Sequence, residues 1–260
     1  MMTPQTVFQA AGALYGLALL GALLPGKRPL LVATFLVPAL VCNLLVVGLR
    51  YHQAWPMLPM HLGPVALPLC LGLLYPFTAG GECEQDQQRM VRRTLLGLMV
   101  FLVLAGLCFP KDFYLPFLKS KTLLAHGFLW FGVIGKACFV FSAIWALAAL
   151  AANRQAYAKH RLTVALQQSL RWAVWGFALW TVSMFNGELW SYLGWGTPVV
   201  WEDPALTLTM AAWFFYACYL HLHLTRSWNP PARALYASLG GLTILALTCV
   251  PDLGPFRSPF

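Results

Sequence analysis

Apolar residues run through this chain in blocks of about 18 or more positions, and polar residues are confined to short intervals between them. The blocks predict helical spans at roughly 5–24, 29–49, 62–79, 94–110, 122–150, 170–187, 205–225 and 233–250. At about 1.5 Å of rise per residue, each is long enough to cross most or all of a ~30 Å hydrocarbon core. Pro64, Pro68 and Pro76 break the third block and Gly240 and Gly241 sit inside the eighth, so these two are the weakest spans. The expected fold is all-α: a polytopic transmembrane helical bundle of about eight spans, forming a single integral membrane domain over residues 1–260.

Composition agrees with that pattern, at 60% hydrophobic and 10% charged residues, a balance foreign to soluble domains. The net charge of +9 raises the question of an anionic partner such as nucleic acid. Its distribution answers otherwise. Intervals after the first, third, fifth and seventh spans carry Lys27, Arg28, Arg89, Arg92, Arg93, Arg154, Lys159, Arg161, Arg171, Arg226 and Arg233, whereas the alternate intervals carry Arg50, Lys111, Lys119 and Lys121. By the positive-inside rule the richer set faces the cytoplasm, which places both termini on the outer, periplasmic side. The first segment has no basic residue before it and no small-residue cleavage pattern, and is expected to be a retained span.

One outer interval is unusual. Residues 188–204, "ELWSYLGWGTPVVWEDP", hold Trp190, Trp195 and Trp201 with Gly194, Gly196 and Pro198 between them and no Lys or Arg. Tryptophan suits membrane interfaces in general, and Asp203 with Pro204 makes an N-cap followed by a first-turn proline for the seventh span. A flat aromatic shelf in one short outer loop also suits a large planar apolar ligand.

The histidines sharpen this reading. His126 stands at the outer end of the fifth span and His221 lies about sixteen residues into the seventh, roughly 24 Å from the outer surface. Ionisable groups inside a membrane are costly and usually functional, although a helix-to-helix hydrogen bond is the ordinary alternative. His223 lies some 200° around the helix from His221 and is expected at the cytoplasmic interface. His160 falls in a basic cytoplasmic interval, and His52 and His61 flank the outer interval "RYHQAWPMLPMH". The seven cysteines include no CxxC or CxxCH spacing, which excludes a covalently attached c-type haem on this chain and a thiol oxidoreductase motif. No nucleophile paired with a base, no paired carboxylates, no phosphate loop and no nucleic-acid signature is found, so any catalysis rests on positioning a cofactor.

Three motifs in register carry a resemblance: "AHGFLWFGVIGKA" at His126, "FNGELWSYLGWGTPVVWEDPALTLTMAAW", and "ACYLHLHL" at His221. Across roughly residues 45–225 the chain resembles the CcsA or ResC family of cytochrome c assembly proteins, haem-handling membrane proteins with a tryptophan-rich "WWD" domain. The resemblance implies that His221 matches an intramembrane haem ligand and His126 a first outer ligand. Trp190, Trp195, Trp201, Asp203 and Pro204 match the WWD motif. It also implies non-covalent haem b as cofactor, a CcsB- or ResB-like membrane partner, an apocytochrome c as acceptor, and a bacterial cytoplasmic membrane or its equivalent. The chain departs from the family in two ways. The WWD core reads "TPVVWED", and "LTCVPDLGPFRSPF" after the last span holds no histidine. Either a second outer ligand comes from His52, His61 or a partner, or the chain is a divergent relative that does not hold haem at the outer site in the family's usual way.

The leading expectation is haem handling for c-type cytochrome biogenesis, as a possible component of a cytochrome c synthase. The alternatives are a haem-binding transmembrane subunit of a respiratory or regulatory complex, and a transporter of another planar solute. Lys119 and Lys121, just before His126, are expected either to pair with haem propionates or to anchor the span end by snorkelling.

Overall fold

Helix starts are written into the chain as a capping residue followed by proline. Thr3 accepts a hydrogen bond from the Thr6 backbone N–H at 3.3 Å with Pro4 next in line. Asn229 does the same for Ala232 at 2.9 Å ahead of Pro230. In each case the proline occupies a position whose N–H has no helical partner to lose. The computed structural model describes residues 3–24, 29–54, 62–79, 85–108, 123–153, 159–199, 204–225 and 228–249, with side chains at 54, 62–64, 153, 159, 195, 204–206 and 249 outside that description.

Among the described residues there are eight α-helices and no strand. They are α1 (Pro4–Leu23), α2 (Pro29–Ala54), α3 (Leu62–Leu73), α4 (Gln85–Cys108), α5 (Leu123–Asn153), α6 (Lys159–Trp195), α7 (Pro204–Thr225) and α8 (Pro230–Cys249), with a 3₁₀ turn at Tyr75–Ala79. Four stretches, Pro4–Leu23, Pro29–Gln53, Gln85–Cys108 and Leu123–Ala152, are long and apolar enough to cross a membrane. Every sequence block became a helix. Two extend well past their blocks, because "QDQQRMVRR" and "KHRLTVALQQSLR" are good helix formers that lack only the hydropathy of a span.

Contacts along the chain cluster into two compact units, residues 1–115 and 116–260. In the first unit α1 packs on α2 and α4, and α3 packs on α2 and α4. Its core includes Tyr15, Leu67, Leu71, Leu95, Leu96 and Met99. Inside it, Asn43 donates from Nδ2 to the Tyr15 hydroxyl at 3.2 Å, both residues fully buried. Arg93 donates from Nε to the carbonyl of Ala22 at 3.0 Å, covering one of the acceptors left open at the C-terminal end of α1. Arg92 reaches the Thr78 hydroxyl at 3.0 Å.

The second unit is organised around α5, which packs on α6 and α8, while α7 packs on α6 and α8. Contacts between α5 and α6 pair rising numbers on one with falling numbers on the other: Gly127 with Asn186, Gly132 with Ser183, Gly135 with Gly176. The two helices are therefore antiparallel, and small residues set their spacing. A Cβ at Gly135 would sit 3.2 Å from the Gly176 carbonyl oxygen and 3.2 Å from the Trp180 nitrogen, so the backbones approach as closely as the missing side chain allows. Ser183, buried in this seam, donates to the Phe128 carbonyl at 2.6 Å.

Candidate functional site

One end of the second unit is formed by the start of α5 and the end of α6. His126 is the fourth residue of α5, half-buried, with Nε2 screened from solvent. The residues after it are pinned to α6. The backbone at Gly127 abuts Asn186, Phe128 lies over Gly187, and the Phe128 ring centroid is 6.3 Å from that of Trp190. His126 and Trp190 are thereby brought to the same end of the same helix pair.

The aromatic loop expected over 188–204 is shorter than the sequence suggested. Residues 188–195 continue α6, so Trp190 and Trp195 are helical positions. The helix stops only at Gly196, whose φ of +75° suits a residue without a Cβ. Its N–H donates to the Tyr192 carbonyl at 2.9 Å, the single closing bond of a left-handed C-cap. Beyond it, Ser191 donates to the Thr197 carbonyl at 2.8 Å and Thr197 to the Val199 carbonyl at 3.1 Å, which folds the chain back over the helix end. Trp201, Asp203, Lys119, Lys121 and His61 lie outside the described residues, and Pro204 opens α7. His52 is exposed in the last turn of α2, in the first unit.

At the other end of the second unit, α7 carries two histidines with opposite surroundings. His221 is exposed, in line with exposed Ala211, Phe214 and Cys218 at helical spacing. It is not grouped with His126 or Trp190. His223, expected at the interface, is instead turned into the protein. Its Nδ1 lies 3.2 Å from Arg233 Nη1, and its Nε2 lies 3.0 Å from the Tyr219 hydroxyl. A guanidinium only donates, so Nδ1 accepts, the ring is neutral, and the proton on Nε2 is given to Tyr219. Tyr219 is hydrogen-bonded in turn to Ser169. Ser142 donates to the Ser169 carbonyl at 2.7 Å, with the two hydroxyls 3.0 Å apart. The result is a polar chain through all four helices: Arg233 on α8, His223 and Tyr219 on α7, Ser169 on α6, Ser142 on α5. Both ring nitrogens of His223 are committed to it, which leaves His221 as the α7 histidine exposed for a ligand.

Stacked rings wall the chain in. Tyr219 and Tyr236 are parallel at 5.9 Å, Phe215 and Tyr236 at 4.2 Å, and Phe139 and Tyr216 at 3.6 Å. The sequence reading missed this cluster; the available signal was the Tyr219–His223 spacing of four residues, which stacks two polar tips on one helix face.

Residues 58–250 match the family described as Cytochrome C assembly protein. The chain belongs to that family. A cytochrome c biogenesis protein CcsA from Prochlorococcus marinus (strain AS9601) is 40% identical over 70 residues, covering 27% of this chain and 22% of the relative. The CcsA of Thermosynechococcus vestitus (strain NIES-2133 / IAM M-273 / BP-1) is 38% identical over 65 residues, covering 25% of this chain and 20% of the relative. These alignments thus span about a fifth of the length of the curated relatives. Among solved structures, the cytochrome c haem lyase CcmF superposes with a TM-score of 0.72 at 18% identity, over 98% of this chain and 48% of that one. At that identity the likeness is one of fold. Family membership and the four apolar helices together make this chain an integral membrane protein of the cytochrome c assembly family.

Proposed function

We propose that this chain handles haem for c-type cytochrome biogenesis, holding it non-covalently as haem b and presenting it at the end of the second unit that His126 and Trp190 share. The observation that carries the reading is this shared end: His126 stands in the first turn of α5, two residues before Phe128, whose ring packs against Trp190 near the end of α6. The donor set fits a haem. A neutral imidazole is a good axial ligand, the His126 Nε2 is screened from solvent, and the adjoining rings of Phe128 and Trp190 offer an apolar wall. His126 and His221 are the assigned axial ligands, one at each end of the unit, with Trp190, Trp195, Trp201, Asp203 and Pro204 as the wall and rim of the outer site. The haem supplies the vinyl groups that become thioether bonds to an apocytochrome.

In the same reading the termini and the His126 end face outwards from a bacterial cytoplasmic membrane or its equivalent, in line with the placement of the basic residues. Lys119 and Lys121 meet the propionates. His52, His61 or a CcsB- or ResB-like partner supplies the second outer ligand. Glu188 lies in the last turns of α6, and negative charge beside propionates requires cations from elsewhere, which is the role given to the lysines.

A deletion strain without paralogues, scored for covalent haem on its periplasmic cytochromes, tests the assignment. Loss of haem staining with rescue by the wild-type gene is the expected result. Normal staining overturns it.

A further inference from the structure

We infer that Lys136 is a carboxylate-binding position inside the second unit, one that takes a propionate of haem below His126; the inference rests on the haem-handling reading above. The apolar stretch of α5, Leu123–Ala152, is 30 residues long, and Lys136 is its one Lys, Arg, Asp or Glu. It is the fourteenth residue of the helix, about 20 Å from the start at 1.5 Å per residue. A charge at that depth in a membrane costs about 2.5–3.5 kcal/mol and marks a functional group by default.

The side chain is directed into the unit. On its face of α5, Val133 and Val140, three residues before and four after, are buried, whereas Phe131 and Ile134 on the far side are exposed. Its Nζ stands 5.6 Å from the centroid of the Trp180 ring. That ring is itself fixed: it is buried, its Nε1 donates to the Thr209 carbonyl at 3.1 Å, and it meets Phe139 edge-on at 6.1 Å. It also lies 3.9 Å from the Cβ position at Gly132, one turn nearer His126. An aromatic face favours the charged form of an amine, and helical side chains lean toward the N-terminus. The ammonium is therefore held charged and tilted toward the His126 end.

Distance and surroundings select the anion. Lys136 is ten residues past His126, about 15 Å along the helix, a length that an axial imidazole, a macrocycle and its propionate arm span together. At this level the described residues of α6 and α7 are Gly176–Trp180 and Thr209, none of them acidic. An ammonium among rings and aliphatic groups suits an anion carried on a planar apolar body. It disfavours a small hydrated anion, which has to shed its water to enter. Lys119 and Lys121 precede His126 in the sequence and Lys136 follows it. Carboxylates turned inward to Lys136 belong to haem not yet presented, and carboxylates turned outward to haem being delivered.

The test titrates purified full-length protein from haem-limited cells with haemin and with haemin dimethyl ester, which lacks the carboxylate charges, following the Soret band. Wild type is expected to bind haemin roughly tenfold more tightly than the ester, the worth of a hydrogen bond to a charged group. Lys136→Met keeps the apolar stem and removes the charge. It is expected to lower that preference roughly fivefold or more, with ester binding unchanged and the melting temperature not lowered. Lys136→Arg is expected to retain the preference. A wild-type preference in Lys136→Met overturns the inference and leaves the haem reading standing. No Soret change with either porphyrin in wild type removes the haem reading and this site with it. Loss of both porphyrins together with a lower melting temperature makes Lys136 a structural residue and also overturns the inference. Should Lys136→Met fail to fold, Lys136→Gln removes the charge while keeping N–H donors. The same loss of preference is expected there, and an unchanged preference again counts against the site.

Discussion

The two ends of the second unit are assembled from the same helices by opposite means. At the His126 end the fixed elements are backbones and ring faces: Gly127 against Asn186, Phe128 against Trp190, a helix closed by Gly196. At the Arg233 end the fixed elements are polar side chains, tied donor to acceptor across four helices. The difference teaches that depth in a membrane does not by itself mark a ligand. His221 and His223 are two residues apart on α7, yet one is exposed and the other has both nitrogens occupied. What a histidine's nitrogens already bond to decides whether it is free to hold a metal.

The sharpest way to break this contrast is at the first end. His126→Ala is expected to lower covalent haem on periplasmic cytochromes roughly tenfold or more, the scale on which disturbing a ligand set acts. Protein abundance should stay near wild type, because the packing around it belongs to Gly127 and Phe128. A variant that matures cytochromes normally would sink the assignment of His126.

His223→Leu should do the reverse. It strands the Tyr219 hydroxyl and Arg233, at a cost of about 1–3 kcal/mol, and at roughly 2–4 °C per kcal/mol for a unit of this size the melting temperature falls by several degrees. The ratio of bound haem to folded protein should not change. A fall in that ratio without a change in melting temperature would instead make His223 a ligand.

Ser183→Ala, in the seam joining the two ends, is expected to cost about 1 kcal/mol, the usual worth of one buried neutral hydrogen bond. Its bond to the Phe128 carbonyl is 2.6 Å long, so the loss should register at the His126 end, as faster amide exchange over the first turns of α5. Uniform exchange across the unit would show that the seam does not localise strain. The smallest stability effect belongs to His221→Ala, within about 0.5 kcal/mol, since the side chain is exposed. Its haem Soret band should nonetheless weaken, and an unchanged spectrum would remove His221 from the site.

The positions of the helices were legible because their cause is local. Apolar blocks, Thr3 before Pro4 and Asn229 before Pro230 each act within a few residues. The ends of α4 and α6 were less so, since a hydropathy window registers the span and passes over the polar turns that extend it. The stretch 188–195 was misread as loop because tryptophan and glycine suggest one. The run up to Trp195 contains no proline and only one glycine, Gly194, and that glycine does not stop the helix. The inward turn of His223 was illegible for a different reason. Helix α7 is apolar on every face, so the pattern gives its period without saying which side is inside, and that choice rests on Arg233 and Ser169 from other helices. Trp201, Asp203, Lys119, Lys121 and His61 remain expectations of the sequence and lie outside the described residues.

Gly196 ends α6 in a mirror-image backbone state, φ +75°, with no described residue within 4 Å of where its Cβ would point. Space and conformation are therefore separable at this one residue. L-alanine meets no described neighbour and still costs about 1–2 kcal/mol, because the left-handed state brings its Cβ against its own carbonyl. D-alanine, introduced by semisynthesis, has the opposite preference and removes chain freedom from the unfolded state, so it should tighten the same turn. The handedness of one α-carbon thus sets how firmly the tryptophan end of α6 is closed.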